Sequence, residues 1–264
     1  MALANALALL LYLVSGAILI RHILKGIPLP RTLPLPVLTS LALICHAVDI
    51  YLTTTALGHW DVSLFGTLSI AGWMMALIVF LLSLTNTVLQ PGLLIYPLIA
   101  ITLALKTTIP EQASFALDDP ALEWHVLLSL AAYSLFSLAA IQASVLAVLE
   151  WQLKQHRFSS VMRMLPPLQS IEDSLFQFIR IGFTLLTLGL ATGFLFIHDL
   201  IVQQLTHKTV FSLAAWFIFA TLLWGRSYYG WRSKVAIKWT LIGFFLLLLA
   251  YLGSKFVLEF ILSY

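Results

Sequence analysis

Residues 125–149 read HVLLSLAAYSLFSLAAIQASVLAVL, a stretch that contains no Asp, Glu, Lys or Arg. An α-helix needs about 20 apolar residues, within a range of about 17–25, to cross the hydrocarbon core of a bilayer. The stretch is apolar without alternation, and a backbone inside lipid has to satisfy its hydrogen bonds within its own segment, which disfavours a strand. It therefore predicts a membrane-spanning helix.

Seven further stretches of comparable length and composition lie before and after it. They are Ala2–Ile20, Leu35–Leu57, Val62–Leu82, Gly92–Thr108, Phe178–His198, Thr206–Trp224 and Trp239–Leu262. Together with residues 125–149 they predict an all-α fold, a polytopic integral membrane bundle of eight transmembrane helices. No repeat or low-complexity stretch divides the chain, so residues 1–264 are predicted to form a single membrane domain.

The overall composition excludes several classes of protein. Of the 264 residues, 61% are hydrophobic and 9% charged, whereas soluble domains have about 45–50% apolar and about 25% charged residues. These polar residues are too few to form the surface of a soluble enzyme domain. The net charge of +3 does not indicate a basic surface that binds nucleic acid. The single cysteine, Cys45, excludes a disulfide framework and a Cys-rich metal site. No enzymatic motif such as H-E-x-x-H is present, so we expect no enzyme.

The placement of Lys and Arg predicts an orientation, because short cytoplasmic loops carry the excess of both residues. If the N-terminus lies outside, eleven of the fourteen Lys and Arg fall on the inner side. An even number of spans then puts both termini outside.

A polar stripe marks the fifth span. His125, Ser129, Tyr133 and Ser137 follow one another at intervals of four and therefore share one helical face. Ionisable residues in a membrane are costly and usually functional. We therefore predict that His125 is a ligand, with Ser129 and Tyr133 supporting it. The alternative is that the serines only allow close helix packing.

His198 closes the sixth span, which runs antiparallel to the fifth, so His125 and His198 are predicted to lie at the same outer level. Two imidazoles at one level can approach one iron from opposite faces, as axial haem ligands do. The alternative for His198 is an interfacial histidine whose polar tip reaches water.

His46 is predicted to lie deeper, about 16 Å along the helix from Leu35 and near the middle of the bilayer. Asp49 is one turn further along the same face, where a carboxylate can orient a metal-binding imidazole. This pair predicts a second, deeper position or part of an entry route. The alternative is a His–Asp pair that satisfies itself in the core.

Several motifs resemble the haem-handling cytochrome c assembly proteins of the CcsA, CcmC and HemX type. They are HVLLSLAAY (125–133), PPLQSIE (166–172), GFTLLTLG (182–189), Gly230-Trp231-Arg232, YLGSKF (251–256) and, with the eight-span layout, Cys45-His46-Ala47. Within that family the chain looks most like the YpjD-type inner membrane proteins. The resemblance covers nearly the whole chain.

The resemblance implies haem as cofactor and the bacterial-type plasma (inner) membrane as location. It also implies other cytochrome c maturation or haem-biosynthesis proteins as partners, beside the lipid bilayer. His125 matches a histidine of the family, whereas Trp224 and Leu262 stand where CcsA-type relatives have two more. The stretch Asp199–Thr209 has no tryptophan, although these relatives carry a Trp-rich segment there.

Two other functions remain open at this point. The chain resembles HemX-type relatives, which implies a regulatory or accessory membrane protein that binds no cofactor and acts through cytosolic partners. A small transport accessory is the third function. Asp49 is nearly alone as an intramembrane acid, which counts against a proton-coupled or cation-coupled carrier.

Overall fold

The computed structural model describes residues 2–25, 35–84, 91–109, 120–155, 167–196 and 206–253. These residues form eight α-helices and one π-helical turn. The helices are α1 (Ala2–Lys25), α2 (Leu35–Leu57), α3 (Leu64–Leu84), α4 (Pro91–Thr108), α5 (Pro120–Lys154), α6 (Leu168–Phe196), α7 (Thr206–Tyr229) and α8 (Lys234–Leu248), and the π-helical turn is Leu249–Gly253.

Eight helices in the described residues are long and apolar enough to cross a membrane, and these residues contain no strand. The all-α prediction and the number of spans are therefore confirmed. The side of the membrane on which the termini lie stays a prediction.

The helix that carries the sixth span begins earlier than its apolar stretch. α6 starts at Leu168, where the carbonyl of Pro167 accepts hydrogen bonds from the N–H groups of Ser170 and Ile171 at 2.9 and 3.3 Å. A proline suits the start of a helix because it has no N–H group, and the first N–H groups of a helix have no intrahelical acceptor. Ser170 therefore lies in the first turn of α6.

The first of two compact units comprises Met1–Ala116 and Leu149–Ile171. Within it α1 packs against α2 and α4, and α3 packs against α2 and α4. Small residues allow these helices to approach closely. A Cβ atom added at Gly16 would lie 3.2 Å from the ring of Pro97, and one at Gly72 would lie 3.1 Å from Ile99.

The second unit comprises Leu117–Val148 and Glu172–Tyr264. Its centre contains a stacked pair of buried rings, Phe136 of α5 and Phe219 of α7, with centroids 4.0 Å apart. α7 also packs against α8 and the π-helical turn. The connection from α7 to α8 turns at Gly230, whose φ of +63° is a conformation that glycine adopts without strain.

Candidate functional site

His125 lies near the start of α5 and is held by the backbone of α6. Its Nδ1 atom is 2.8 Å from the carbonyl oxygen of Gly189 and 3.3 Å from the hydroxyl of Thr192. A carbonyl oxygen only accepts hydrogen bonds, so Nδ1 carries the proton. The neutral imidazole then has its lone pair on Nε2, the atom available to a metal.

Glycines on α6 make this contact possible. A Cβ atom added at Gly193 would lie 3.0 Å from Cε1 of His125, and one added at Gly189 would lie 3.4 Å from the hydroxyl of Ser129. The Thr192 hydroxyl donates to the Gly189 carbonyl at 2.8 Å, so this one oxygen accepts hydrogen bonds from both His125 and Thr192. The imidazole is half-buried. The arrangement gives a fixed, partly accessible ring whose Nδ1 hydrogen bond sets its orientation.

The predicted supporting residues lie at two different depths along α5. Ser129 is beside Gly189, in the same contact as His125. Tyr133 is about 12 Å along the helix from His125, where its hydroxyl donates to the carbonyl of Leu247 at 3.0 Å and its ring contacts Tyr251. Tyr133 therefore ties α5 to the end of α8 and does not touch the imidazole.

His198, the predicted partner of His125, lies outside the described residues. The pairing of the two imidazoles therefore stays a prediction. In the part of the chain that the structure describes, no three His, Cys, Asp or Glu side chains form a group that could hold a metal ion. Of the predicted pair, the described residues contain one imidazole.

His46 lies in the first unit and is fully buried, with an exposed fraction of 0%. Its Nε2 atom is 2.8 Å from the Ser69 hydroxyl, and its Nδ1 atom is 3.4 Å from the Tyr12 hydroxyl. Both ring nitrogens thus face hydroxyl groups, and a metal would have to displace one of them.

Asp49 has a different partner from the one expected. Its carboxylate forms an ion pair with Lys106 of α4, with an N–O distance of 3.2 Å. Tyr12 and Ser69, not Asp49, contact the imidazole of His46. The prediction that Asp49 orients His46 therefore does not match the structure, because the opposite charge of Lys106 lies within reach.

Lys106 is the residue that sequence reasoning missed here. Its side chain is only 11% exposed. A signal was available: Asp49 is an acid inside one apolar span and Lys106 a base inside another. Buried charges in membranes usually pair with one another, and the two could have been matched on that ground.

A second charged group, also missed, lies at the other end of α6, about 25 Å along the helix from Gly189. Glu172 is buried and accepts hydrogen bonds from Arg226 and, at 3.0 Å, from Nε of Arg232. Arg226 also donates to the Trp231 carbonyl at 3.2 Å and lies 4.5 Å from the ring centroid of Phe176. These contacts fix the connection between α7 and α8.

Comparison with known proteins gives one family and several relatives. The model of the family described as "Cytochrome C assembly protein" matches residues 35–262. The inner membrane protein YpjD of Escherichia coli K12 is 33% identical over 97% of this chain and 97% of its own length. Protein HemX of Brevibacillus brevis is 25% identical over 73% of each chain. The cytochrome c biogenesis protein CcsA of Trieres chinensis is 30% identical over 34% of this chain and 30% of its own. No solved structure matches.

Proposed function

Because this chain belongs to the cytochrome C assembly protein family, we propose that it is a non-enzymatic membrane protein that binds haem through His125 and acts in cytochrome c assembly. The observation that carries the proposal is the hydrogen bond between Nδ1 of His125 and the carbonyl of Gly189. This hydrogen bond leaves Nε2 as the unprotonated nitrogen, which is the one that would ligate haem iron.

Each residue around His125 has a stated part in the proposed site. The Gly189 carbonyl fixes the tautomer of His125. It also makes Nε2 a stronger electron-pair donor to a metal, as hydrogen-bond partners of metal-bound histidines do. The Thr192 hydroxyl donates a second hydrogen bond to the same carbonyl. Gly193 leaves the space that the ring occupies. When bound, haem would supply a Lewis-acidic iron that such a nitrogen can ligate.

The second ligand that we propose is His198, because the apolar stretch that predicts the sixth span, residues 178–198, returns antiparallel to the fifth and ends at this residue. We keep the deeper position at His46 as a prediction. Haem there would have to replace the hydrogen bond to Ser69 or to Tyr12. Among the described residues no hydrogen bond to Nε2 of His125 would have to be replaced, which is why we place the primary ligand there.

We further propose that the chain is a multi-pass protein of a bacterial inner membrane. The eight apolar helices and the relative from E. coli that is named an inner membrane protein support this location. The family supports other proteins of cytochrome c maturation or haem biosynthesis as partners. An accessory protein without a cofactor, acting through cytosolic partners, is the outcome if the haem test below fails.

The test is an optical titration of the purified protein with haem. We expect a Soret band in the wild type that is lost or shifted in His125→Ala. His59→Ala is the matched control, because His59 is also half-buried and its Nδ1 also lies 3.0 Å from a carbonyl, that of Trp60. The proposal is wrong if the wild type gives no band, or if His125→Ala and His59→Ala give the same band as the wild type.

A further inference from the structure

A continuous series of five aromatic rings lies where α7 ends and α8 begins. In order of contact the rings are Tyr228, Trp224, Tyr229, Trp231 and Trp239, with neighbouring centroids 5.7, 5.7, 6.3 and 5.8 Å apart. We call this series the aromatic ladder. Three of its rings are strongly exposed: Tyr228 by 74%, Tyr229 by 66% and Trp224 by 54%. Such rings are typical of the headgroup level of a membrane, because they are apolar in body and polar at the tip.

Two arginines close to the ladder in sequence are held in place by hydrogen bonds. Arg226 and Arg232 are anchored on Glu172, and the backbone N–H of Trp231 donates to the carbonyl of Gly225 at 3.2 Å. The ladder is therefore held to the end of α7 by both side-chain and backbone bonds. A preformed arrangement of this kind loses little conformational freedom when a ligand binds.

Lys234 and Lys238 add charge that the described residues do not neutralise. Both are exposed, and they lie four residues apart, on one face of the first turns of α8. Within the described residues neither ammonium group is in an ion pair. Two like charges at this spacing repel each other. An anion between them relieves that repulsion, and the positive end of the α8 dipole favours the same anion.

From these contacts we propose that the aromatic ladder with Lys234 and Lys238 is a binding site for an anionic phospholipid. The phosphodiester group lies between the two ammonium groups, and the acyl chains descend along the exposed rings. Basic residues at the ends of spans attract anionic headgroups, and aromatic rings lie at the same level of the membrane. A lipid, rather than a soluble anion, is the ligand because Trp239, the last ring of the ladder, directly follows Lys238 in the chain, so that an apolar surface adjoins the charges.

The test uses the detergent-purified full chain and measures its melting temperature with added phosphatidylglycerol, phosphatidylcholine or inorganic phosphate. Native mass spectrometry of the same samples gives the lipid occupancy. We expect phosphatidylglycerol to bind more tightly than phosphatidylcholine, and inorganic phosphate to have little effect. Each cation near a membrane surface strengthens such an attraction about five-fold, so Lys234→Gln/Lys238→Gln is expected to weaken phosphatidylglycerol binding about 25-fold.

The matched control is Arg21→Gln/Lys25→Gln, which removes two exposed cations four residues apart at the end of α1, where no aromatic ladder lies among the described residues. This control is expected to change phosphatidylglycerol binding less than two-fold. Tyr228→Leu is expected to weaken it while leaving the net charge unchanged. The proposal is overturned if phosphatidylcholine or inorganic phosphate protects equally well, or if the control variant loses as much binding as the Lys234/Lys238 variant.

Discussion

The ion pair between Asp49 and Lys106 allows a quantitative test of the packing of the first unit. Asp49→Asn removes the carboxylate and leaves the ammonium in a site where the two side chains are 3% and 11% exposed. Breaking one partner of a buried pair costs about 3–5 kcal/mol. Lys106 is close to the end of α4, so its flexible stem can carry the charge toward the interface. We therefore expect the lower value, about 3 kcal/mol, which is about a 100-fold rise in the ratio of unfolded to folded protein.

The assay is unfolding of the purified protein in mixed micelles as the fraction of denaturing detergent rises. The double variant Asp49→Asn/Lys106→Met is expected to recover most of the lost stability, about 2 kcal/mol, because no buried charge is then left without its partner. Glu150→Gln is the control, because Glu150 pairs with the exposed Lys154 at 3.9 Å and such pairs contribute about 0.3–0.5 kcal/mol. The reasoning is refuted if Asp49→Asn costs no more than Glu150→Gln.

Three further predictions concern the second unit. Gly193→Val places methyl groups against His125, since even a Cβ atom lies 3.0 Å from its ring; we expect at least a ten-fold loss of haem affinity in the optical titration with helix content unchanged by circular dichroism. Thr192→Val removes a hydroxyl near Nδ1 and is expected to weaken haem binding a few-fold, whereas Thr192→Ser retains it; equal titrations for both variants contradict this. Glu172→Gln leaves Arg226 without its buried carboxylate and is expected to lower the free energy of unfolding by about 2 kcal/mol. An unchanged midpoint of unfolding would exclude a stabilising role for Glu172.

The sequence was sufficient to predict the class of fold and the number of spans, because bilayer thickness sets the length of each apolar stretch. It was less informative about helix ends. α5 continues to Lys154 and α6 begins at Leu168, beyond the apolar stretches that predicted them. Outside the hydrocarbon core polar residues cost nothing in a helix, so hydrophobicity no longer marks the ends.

The candidate site shows the same division. Periodicity predicted that His125 and Ser129 share a face, and both do lie against Gly189 of α6. The acceptor that holds the imidazole is a backbone carbonyl, which every residue has, so no residue type marks it. Asp49 was assigned to its neighbour in sequence, His46, whereas its partner Lys106 is 57 residues away. Pairings between spans depend on packing, which sequence spacing alone does not specify.

Chemical rescue of His125→Gly tests the proposed ligand most directly. The variant lacks the histidine side chain, and free imidazole added to the solution can take its place at the iron. The variant is titrated with haem in the absence and in the presence of free imidazole, and the Soret band is compared with that of the wild type. We expect the band to be lost or shifted in the variant and to return to the wild-type position when imidazole is added. A variant whose band matches the wild type without imidazole would show that another residue ligates the iron.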